Sequence, residues 1–189
     1  MCGFERFLNW AKEQNWSVKE IGAEKYELPE VYRGKIDEWE KITQMYEKIE
    51  SADGTIHLVL GELLRCDPVV AKKYRIILRG PSPDETDPEF DYDRLRSGED
   101  DLPILWDTFK LISLNSAEPD KEEMETVEKW WDKHFPFLIY TGWEYEFYAV
   151  DIENGTVVNG FEPEFEDTEK VADSLNDFFE KIVNGDIIL

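Results

Sequence analysis

Residues 144–182 constrain the fold more than any other part of the chain. Residues 145–152 (YEFYAVDI) alternate as a β-strand does, and Asn154-Gly155 is a turn signal that leads into residues 156–160 (TVVNG). The spacing predicts a hairpin over residues 145–159 with a type I′ turn, which needs positive φ at both central residues. Because both faces of the first strand carry aromatic or aliphatic residues, we expect a central strand that is covered on both sides.

An amphipathic helix is predicted after this hairpin. Asp167 or Thr168 is expected to cap its N-terminus, and Asn184-Gly185 is expected to end it. Its apolar face recurs at helical spacing and comprises Val171, Leu175, Phe178 and Ile182. We expect these residues to join Phe147 and Ala149 in the core.

Three further helices are indicated by the same periodicity. The first covers residues 4–14, and the second covers residues 37–50, with Asp37 and Glu40 as a capping box. Asp120 is expected to cap the third, which ends before Pro136. The buried stripe of this third helix comprises Met124, Val127 and Trp131.

Further strands are predicted upstream of the hairpin. Alternation predicts them within residues 55–64 (TIHLVLGELL) and 135–142 (FPFLIYTG), around residues 110–114 and, more weakly, over residues 74–80. The strands do not alternate regularly with helices. The order therefore predicts an α+β fold, in which a single mixed, mainly antiparallel sheet is flanked by helices, packed on one side of it.

A chain of 189 residues is long enough for one well-buried domain, which we expect to span residues 1–189. Residues 81–101 differ in character, since they hold three prolines and nine acids against two arginines. Such a composition disfavours a helix or a central strand. We expect an acidic surface insertion at about residues 81–101.

The charge balance limits the classes of partner. Forty-four Asp and Glu residues against 21 Lys and Arg residues give a net charge of -23. This field repels phosphate backbones and anionic membranes, so neither nucleic acid nor a membrane is an expected partner. A basic protein is compatible with it, although acidity also serves solubility alone.

The expected compartment is the cytoplasm. The first 16 residues show no apolar core or cleavage site of a signal peptide, and no run approaches the roughly 18 apolar residues that span a bilayer. Cys2 and Cys66 are the only cysteines, too few for a disulfide framework.

The sequence offers little for catalysis. His57 and His134 have no Cys or His partners at metal-ligand spacing, and no glycine-rich phosphate loop occurs. A Cys66–histidine pair and a pair of acids for glycoside hydrolysis are formally available, but such pairs arise by chance in a chain this acidic. His134 is expected to pack among aromatic residues at a helix end. We expect no enzyme, no cofactor and no small-molecule substrate.

The acidic bend, residues 161–167 (FEPEFED), is the most unusual segment. Phe161 and Phe165 are expected to point inward, which leaves Glu162, Glu164, Glu166 and Asp167 in solvent. Two interpretations remain open. The bend is either a solvated connector whose last acids favour a helix N-terminus, or a docking edge for a basic surface.

Residues 130–182 resemble the carboxy-terminal half of the SUKH superfamily, in the branch named for a yeast regulator of cell-wall glucan synthesis. The shared features are a Trp-rich helix, a PFL strand, a hairpin, a G-x-E-P-E-F-E bend and an A-x-S-x-x-x-F helix. Residues 39–60 also resemble the helix and first long strand of that family. Together these stretches cover somewhat under half of the chain, and residues 81–101 do not match the family pattern.

The resemblance implies an α+β fold without catalysis. Bacterial members of the family are mostly immunity proteins that neutralise a cognate polymorphic toxin, often a nuclease or deaminase, and fungal relatives are regulatory interaction modules. The expected function is therefore toxin neutralisation, with an interaction or scaffold module without a toxin as the alternative. The family carries no fixed contact motif, so charge and expected exposure alone select the candidate contacts: Glu144, Glu162, Glu164, Glu166 and Asp167.

Overall fold

The structure is a computed structural model that describes residues 3–22, 25–65, 104–117 and 120–189. The strand predicted over residues 74–80, the acidic insertion predicted at about residues 81–101, and Cys66 all lie outside these ranges.

The described residues form six helices and one seven-stranded sheet. The helices are α1 (Gly3–Glu13), α2 (Asp37–Thr43), α3 (Gly61–Leu64), α4 (Thr108–Ala117), α5 (Lys121–Trp131) and α6 (Leu175–Asn184). The strands are β1 (Ser17–Glu20), β2 (Tyr46–Glu50), β3 (Ile56–Leu58), β4 (His134–Thr141), β5 (Tyr145–Asp151), β6 (Val157–Phe161) and β7 (Glu169–Ala172). Each strand pairs antiparallel with the next, in chain order. The α+β prediction with a mainly antiparallel sheet is confirmed.

Strand β5 is covered on both faces, as its composition predicts. Phe147 packs against Trp131 of α5, with ring centroids 5.0 Å apart, while Tyr148 packs against Phe178 of α6 at 4.9 Å. Because consecutive side chains of a strand point to opposite faces, α5 and α6 lie on opposite sides of the sheet. The expectation of helices on one side only is therefore wrong.

The layer that contains α6 is largely aromatic. Phe179 contacts Phe4 and Phe7 of α1 at 5.2 and 4.8 Å, and Phe178 contacts Phe137 of β4 at 5.1 Å. All five rings are buried. The first and last helices of the described chain are thus joined through this cluster.

The helix predicted over residues 37–50 ends at Thr43, and its second half is β2. Opposite the β1–β2 register shift, Tyr46 pairs with Glu20 while Ile49 pairs with Val18. The shift puts Tyr46 and Ile49 on one strand face although they are three residues apart, which imitates helical spacing. The capping box is also wrong, because Ile36 holds the N-cap position and the Glu40 carboxylate accepts from Gly34 N–H at 2.5 Å.

Two predicted strands differ in the structure. The strand within residues 55–64 covers only Ile56–Leu58, because Gly61–Leu64 form α3. The strand around residues 110–114 is wrong, since these residues belong to α4. Packing explains the helix, because Phe109 contacts both Phe147 and Phe165, at 6.0 and 5.1 Å, on the α5 side of the sheet.

The predictions for helix ends have mixed outcomes. Asp120 caps α5, as expected, through bonds from Glu122 N–H and Glu123 N–H to its carboxylate at 2.9 and 3.2 Å. That helix ends at Trp131, however, and Pro136 lies within β4. Helix α1 confirms the first predicted helix and buries an apolar stripe, which comprises Phe4, Phe7, Leu8 and Ala11.

The amino-terminal end of the last helix differs from the prediction. Ser174 is the cap of α6, and its hydroxyl accepts from Asp177 N–H at 3.1 Å, so neither Asp167 nor Thr168 has this role. The acidic bend leads into β7, where Val171 is half-buried. Gly185 ends α6 with a φ of 80°, as expected.

The predicted hairpin over residues 145–159 is confirmed, but its turn is not type I′. Of the two residues in the turn signal, only Gly155 has a positive φ, 78°, and that turn needs two. The Asp151 carboxylate accepts from Glu153 N–H and Asn154 Nδ2 at 2.8 and 2.6 Å, which holds a longer loop between β5 and β6.

Replacing Phe178 by Ala should destabilise the fold by about 3 to 5 kcal/mol, because this ring of α6 is buried against Phe137 of β4 and Tyr148 of β5. Denaturant unfolding measures this loss. The exposed Met45 provides a control, since its truncation should change stability by less than about 0.5 kcal/mol. A loss below about 1 kcal/mol for Phe178→Ala would show that α6 is not part of the core.

Candidate interaction surface

One end of the sheet brings the β4–β5 turn beside the start of the acidic bend. Glu146 of β5 pairs with Phe161 of β6, and Glu162 N–H donates to the Tyr145 carbonyl at 2.9 Å. Glu144 is two residues before Glu146 and lies in the turn at the same end. The structure therefore places Glu144 and Glu162, which are distant in sequence, at the same end of the sheet.

The core fixes the position of the bend. Phe165 is buried, and its ring stacks on Phe109 at 5.1 Å with an interplanar angle of 18°. Gly160 precedes the bend, and a Cβ there would lie 2.5 Å from the Phe147 ring and 2.6 Å from the Phe165 carbonyl oxygen. Only glycine fits this approach without displacing one of the two groups.

Two residues of the bend are not placed as predicted. Phe165 points inward as expected, but Phe161 is 52% exposed. Glu166 is half-buried, and its carboxylate accepts from Trp131 Nε1 at 2.6 Å. Glu166 therefore ties the bend to α5 and does not stand in solvent with the other acids.

The remaining four candidate acids are exposed. Glu144, Glu162, Glu164 and Asp167 form no ion pair with any part of the chain that the structure describes. The sequence explains this, because no lysine or arginine occurs between Lys133 and Lys170. Among the described residues their negative charge has no counter-charge, and the Debye length of about 8 Å at physiological salt lets it act on a partner that approaches closely.

Exposed aromatic side chains accompany these acids. Trp143 is 99% exposed in the β4–β5 turn, and Tyr145 and Phe161 are 39% and 52% exposed. Scattered single apolar residues are normal on a surface, but these three gather at one sheet end in a cluster that spans both faces, because Phe161 lies on the Tyr148 side while the Tyr145 ring contacts Phe109 at 5.5 Å on the other side. We call this cluster, together with three exposed acids of the same sheet end, the aromatic–acidic surface: Trp143, Glu144, Tyr145, Phe161, Glu162 and Glu164.

The aromatic members were missed from the sequence. The sequence predicts an inward position for Phe161, together with Phe165, on the two sides of Pro163. Trp143 carried a usable signal, since Gly142-Trp143-Glu144 separates two predicted strands and turn positions face solvent.

A groove lies within this surface, on the sheet face that carries Tyr148. Its volume is about 500 Å³, and it is lined by Tyr140, Trp143, Glu144, Glu146, Asn159 and Phe161. Asn159 is buried, and its Nδ2 donates to the Glu146 carboxylate at 2.8 Å and to the Phe147 carbonyl at 3.1 Å. The hydrogen bond from Asn159 therefore holds the Glu146 side chain in a defined position. Burial raises the pKa of the neighbouring Tyr148 well above its usual range, and the Glu146 carboxylate adds to the shift.

The two histidines occupy structural positions. The His134 ring stacks on Trp130 at 3.9 Å, and its Nδ1 lies 2.8 Å from the Trp130 carbonyl oxygen, as expected for a packed residue at a helix end. His57 Nδ1 lies 3.2 Å from the Glu50 carboxylate, and burial lowers the pKa of His57. The pairing of either ring with Cys66 lies outside the described residues.

Within the described ranges, no three His, Cys, Asp or Glu side chains are grouped so as to hold a metal ion. No helix in those ranges combines the length and apolar character needed to cross a membrane. Comparison with known proteins found no family model, no curated protein and no solved structure that matches the chain. The resemblance to the SUKH superfamily remains a prediction from the residues.

Replacing Glu166 by Ala should destabilise the fold by about 1 to 3 kcal/mol, because it leaves the Trp131 indole N–H without its acceptor. Glu166→Gln keeps an acceptor oxygen and should reduce the stability less than Glu166→Ala. Denaturant unfolding of both variants measures the difference. Glu164→Ala serves as the control, since this neighbouring residue is exposed and should cost less than about 0.5 kcal/mol. Equal losses for Glu164→Ala and Glu166→Ala would contradict a tie between the bend and α5.

Proposed function

We propose that the protein is a non-enzymatic immunity protein that binds and neutralises a cognate basic toxin, a nuclease or deaminase. The observation that carries this proposal is the aromatic–acidic surface. There, the 99% exposed Trp143 lies beside carboxylates that have no counter-charge in the described chain.

Each component of the surface suits a protein partner. Trp and Tyr are enriched among the residues that contribute most to protein–protein binding, because large flat rings bury much area at low entropic cost. Unpaired carboxylates attract a basic partner and accelerate encounter. With a net charge of -23, the whole chain supports the same attraction.

A nuclease or deaminase fits this surface because it must bind phosphates. Its substrate site is cationic, and an inhibitor blocks it by presenting carboxylates where phosphates would lie. Glu144, Glu162 and Glu164 are the exposed acids at one sheet end that would take this role. The resemblance of residues 130–182 to the SUKH superfamily supports the same function.

The proposal places the protein in the cytoplasm, where a toxin that attacks nucleic acid acts on the cell. It requires no cofactor, small-molecule substrate, nucleic-acid contact or membrane contact by the protein itself.

Co-purification with the product of the neighbouring gene tests the proposal directly. We expect a stable complex that has lost the partner's activity on nucleic acid. A neighbouring product without a toxin domain, or a complex with full activity, would contradict toxin neutralisation.

The combined change of Glu144, Glu162 and Glu164 to Gln should weaken binding to that partner more than tenfold, since close interfacial charge pairs couple by about 1.5 to 7 kcal/mol. Surface plasmon resonance at several salt concentrations measures the effect. Raising salt should slow association of the unaltered protein more than it changes dissociation.

A second triple change provides the matched control. Glu13, Glu30 and Glu128 are exposed on other parts of the surface, so their replacement by Gln removes the same charge elsewhere. This control should retain most of the affinity. Equal affinities for the two variants, with a salt-insensitive association rate, would contradict the role of the aromatic–acidic surface.

A further inference from the structure

The groove of the aromatic–acidic surface is built from one cross-strand row. Tyr140 of β4 pairs with Glu146 of β5, and Glu146 pairs with Phe161 of β6. Directly paired residues point to the same face of a sheet. The row therefore presents a carboxylate between two aromatic rings, and Trp143 closes one end of the groove.

Among the described residues, the helical layer stops before this row. Tyr148 lies two residues from Glu146 on the same face, and the ring of Phe178 in α6 packs on it at 4.9 Å. At the neighbouring row, Phe161 is 52% exposed. This sheet face is thus buried at Tyr148, half-buried at Tyr140 and Glu146, and exposed at Phe161.

The groove is complementary to positive charge. Glu144 and Glu146 belong to its lining, whereas no lysine, arginine or histidine does so among the described residues. Asn159 donates to one oxygen of Glu146, and the Tyr148 side chain is hydrogen-bonded to the same carboxylate. Since a carboxylate offers about four lone-pair sites, acceptor capacity remains for a ligand.

The aromatic walls favour a planar cation. An arginine guanidinium stacks on aromatic faces, is weakly hydrated and donates in a planar fork that matches a carboxylate. A lysine ammonium is compact and strongly hydrated, so it loses more hydration free energy on entering a groove with apolar walls.

We propose that the groove between Trp143 and Phe161 receives an arginine side chain of the partner, with Glu146 as the carboxylate that it contacts. This inference rests on the proposed function for the origin of the arginine, because a phosphate-binding partner is rich in cationic side chains. Arginine is also among the residues most enriched at binding hot spots.

The isolated protein tests this chemistry without the partner. N-acetyl-arginine amide is titrated into the ¹⁵N-labelled protein, and the Trp143 indole N–H resonance is followed. Its assignment comes from the Trp143→Phe variant. We expect a saturable shift with a midpoint in the millimolar range, since one side chain supplies little binding energy. The neutral isostere N-acetyl-citrulline amide should give no saturable shift, and N-acetyl-lysine amide should bind several-fold more weakly.

Two variants locate the probe in the groove. Trp143→Ala and Phe161→Ala remove exposed rings and should each weaken arginine binding at least threefold, as read from the Glu146 backbone amide. Met45→Ala removes an exposed apolar side chain elsewhere and should leave the midpoint unchanged. Equal binding of citrulline or lysine, or midpoints unaffected by both ring deletions, would overturn the inference.

The outcomes also separate this inference from the proposed function. Suppose that the partner co-purifies and the acid triple variant binds it more weakly, but the arginine probe does not bind. The groove assignment then fails while the proposed function stands. If the probe binds while no toxin partner is found, the toxin-neutralising function fails and the cation-binding chemistry stands.

Discussion

Burial of β5 on both faces is the constraint on which the rest of the structure depends. Phe147, Tyr148, Ala149 and Val150 are all buried, so neither side of this strand can face solvent. Two helical layers are required to cover it, α4 and α5 on the Phe147 side and α6 on the Tyr148 side. Because burying such side chains contributes most of the favourable free energy of folding, the stability of the central strand depends on both covers.

The same burial positions the aromatic–acidic surface. Phe147 meets Gly160 on the neighbouring strand, and Phe165 enters the core two residues beyond Pro163. Between these two anchors, residues 161–164 do not reach the core and are exposed. Glu166 then returns to the body of the fold through Trp131. The core thus holds both ends of the acidic segment, and a site on a fixed segment loses less entropy when a partner binds.

The sequence predicted much of this fold because its strongest patterns are local. The hairpin over residues 145–159, the Asp120 cap and the end of the last helix follow from alternation and capping chemistry. The failures come from tertiary context, which no local pattern encodes. A register shift in β2 imitated helical spacing, and core contacts of Phe109 fixed a helix where alternation indicated a strand. For the candidate acids, exposure was predicted for Glu162, Glu164 and Asp167 but not the half-buried position of Glu166, and the exposure of the aromatic rings depended on strand register.

Hydrogen–deuterium exchange on the complex with the neighbouring gene product tests most directly whether the aromatic–acidic surface is the binding surface. If it is, peptides that contain residues 142–146 and 161–164 should exchange more slowly in the complex than in the free protein. Peptides from α1, on a different part of the molecule, should exchange equally in both. Protection confined to another surface, with unchanged exchange in both segments, would contradict the assignment of this sheet end to the partner.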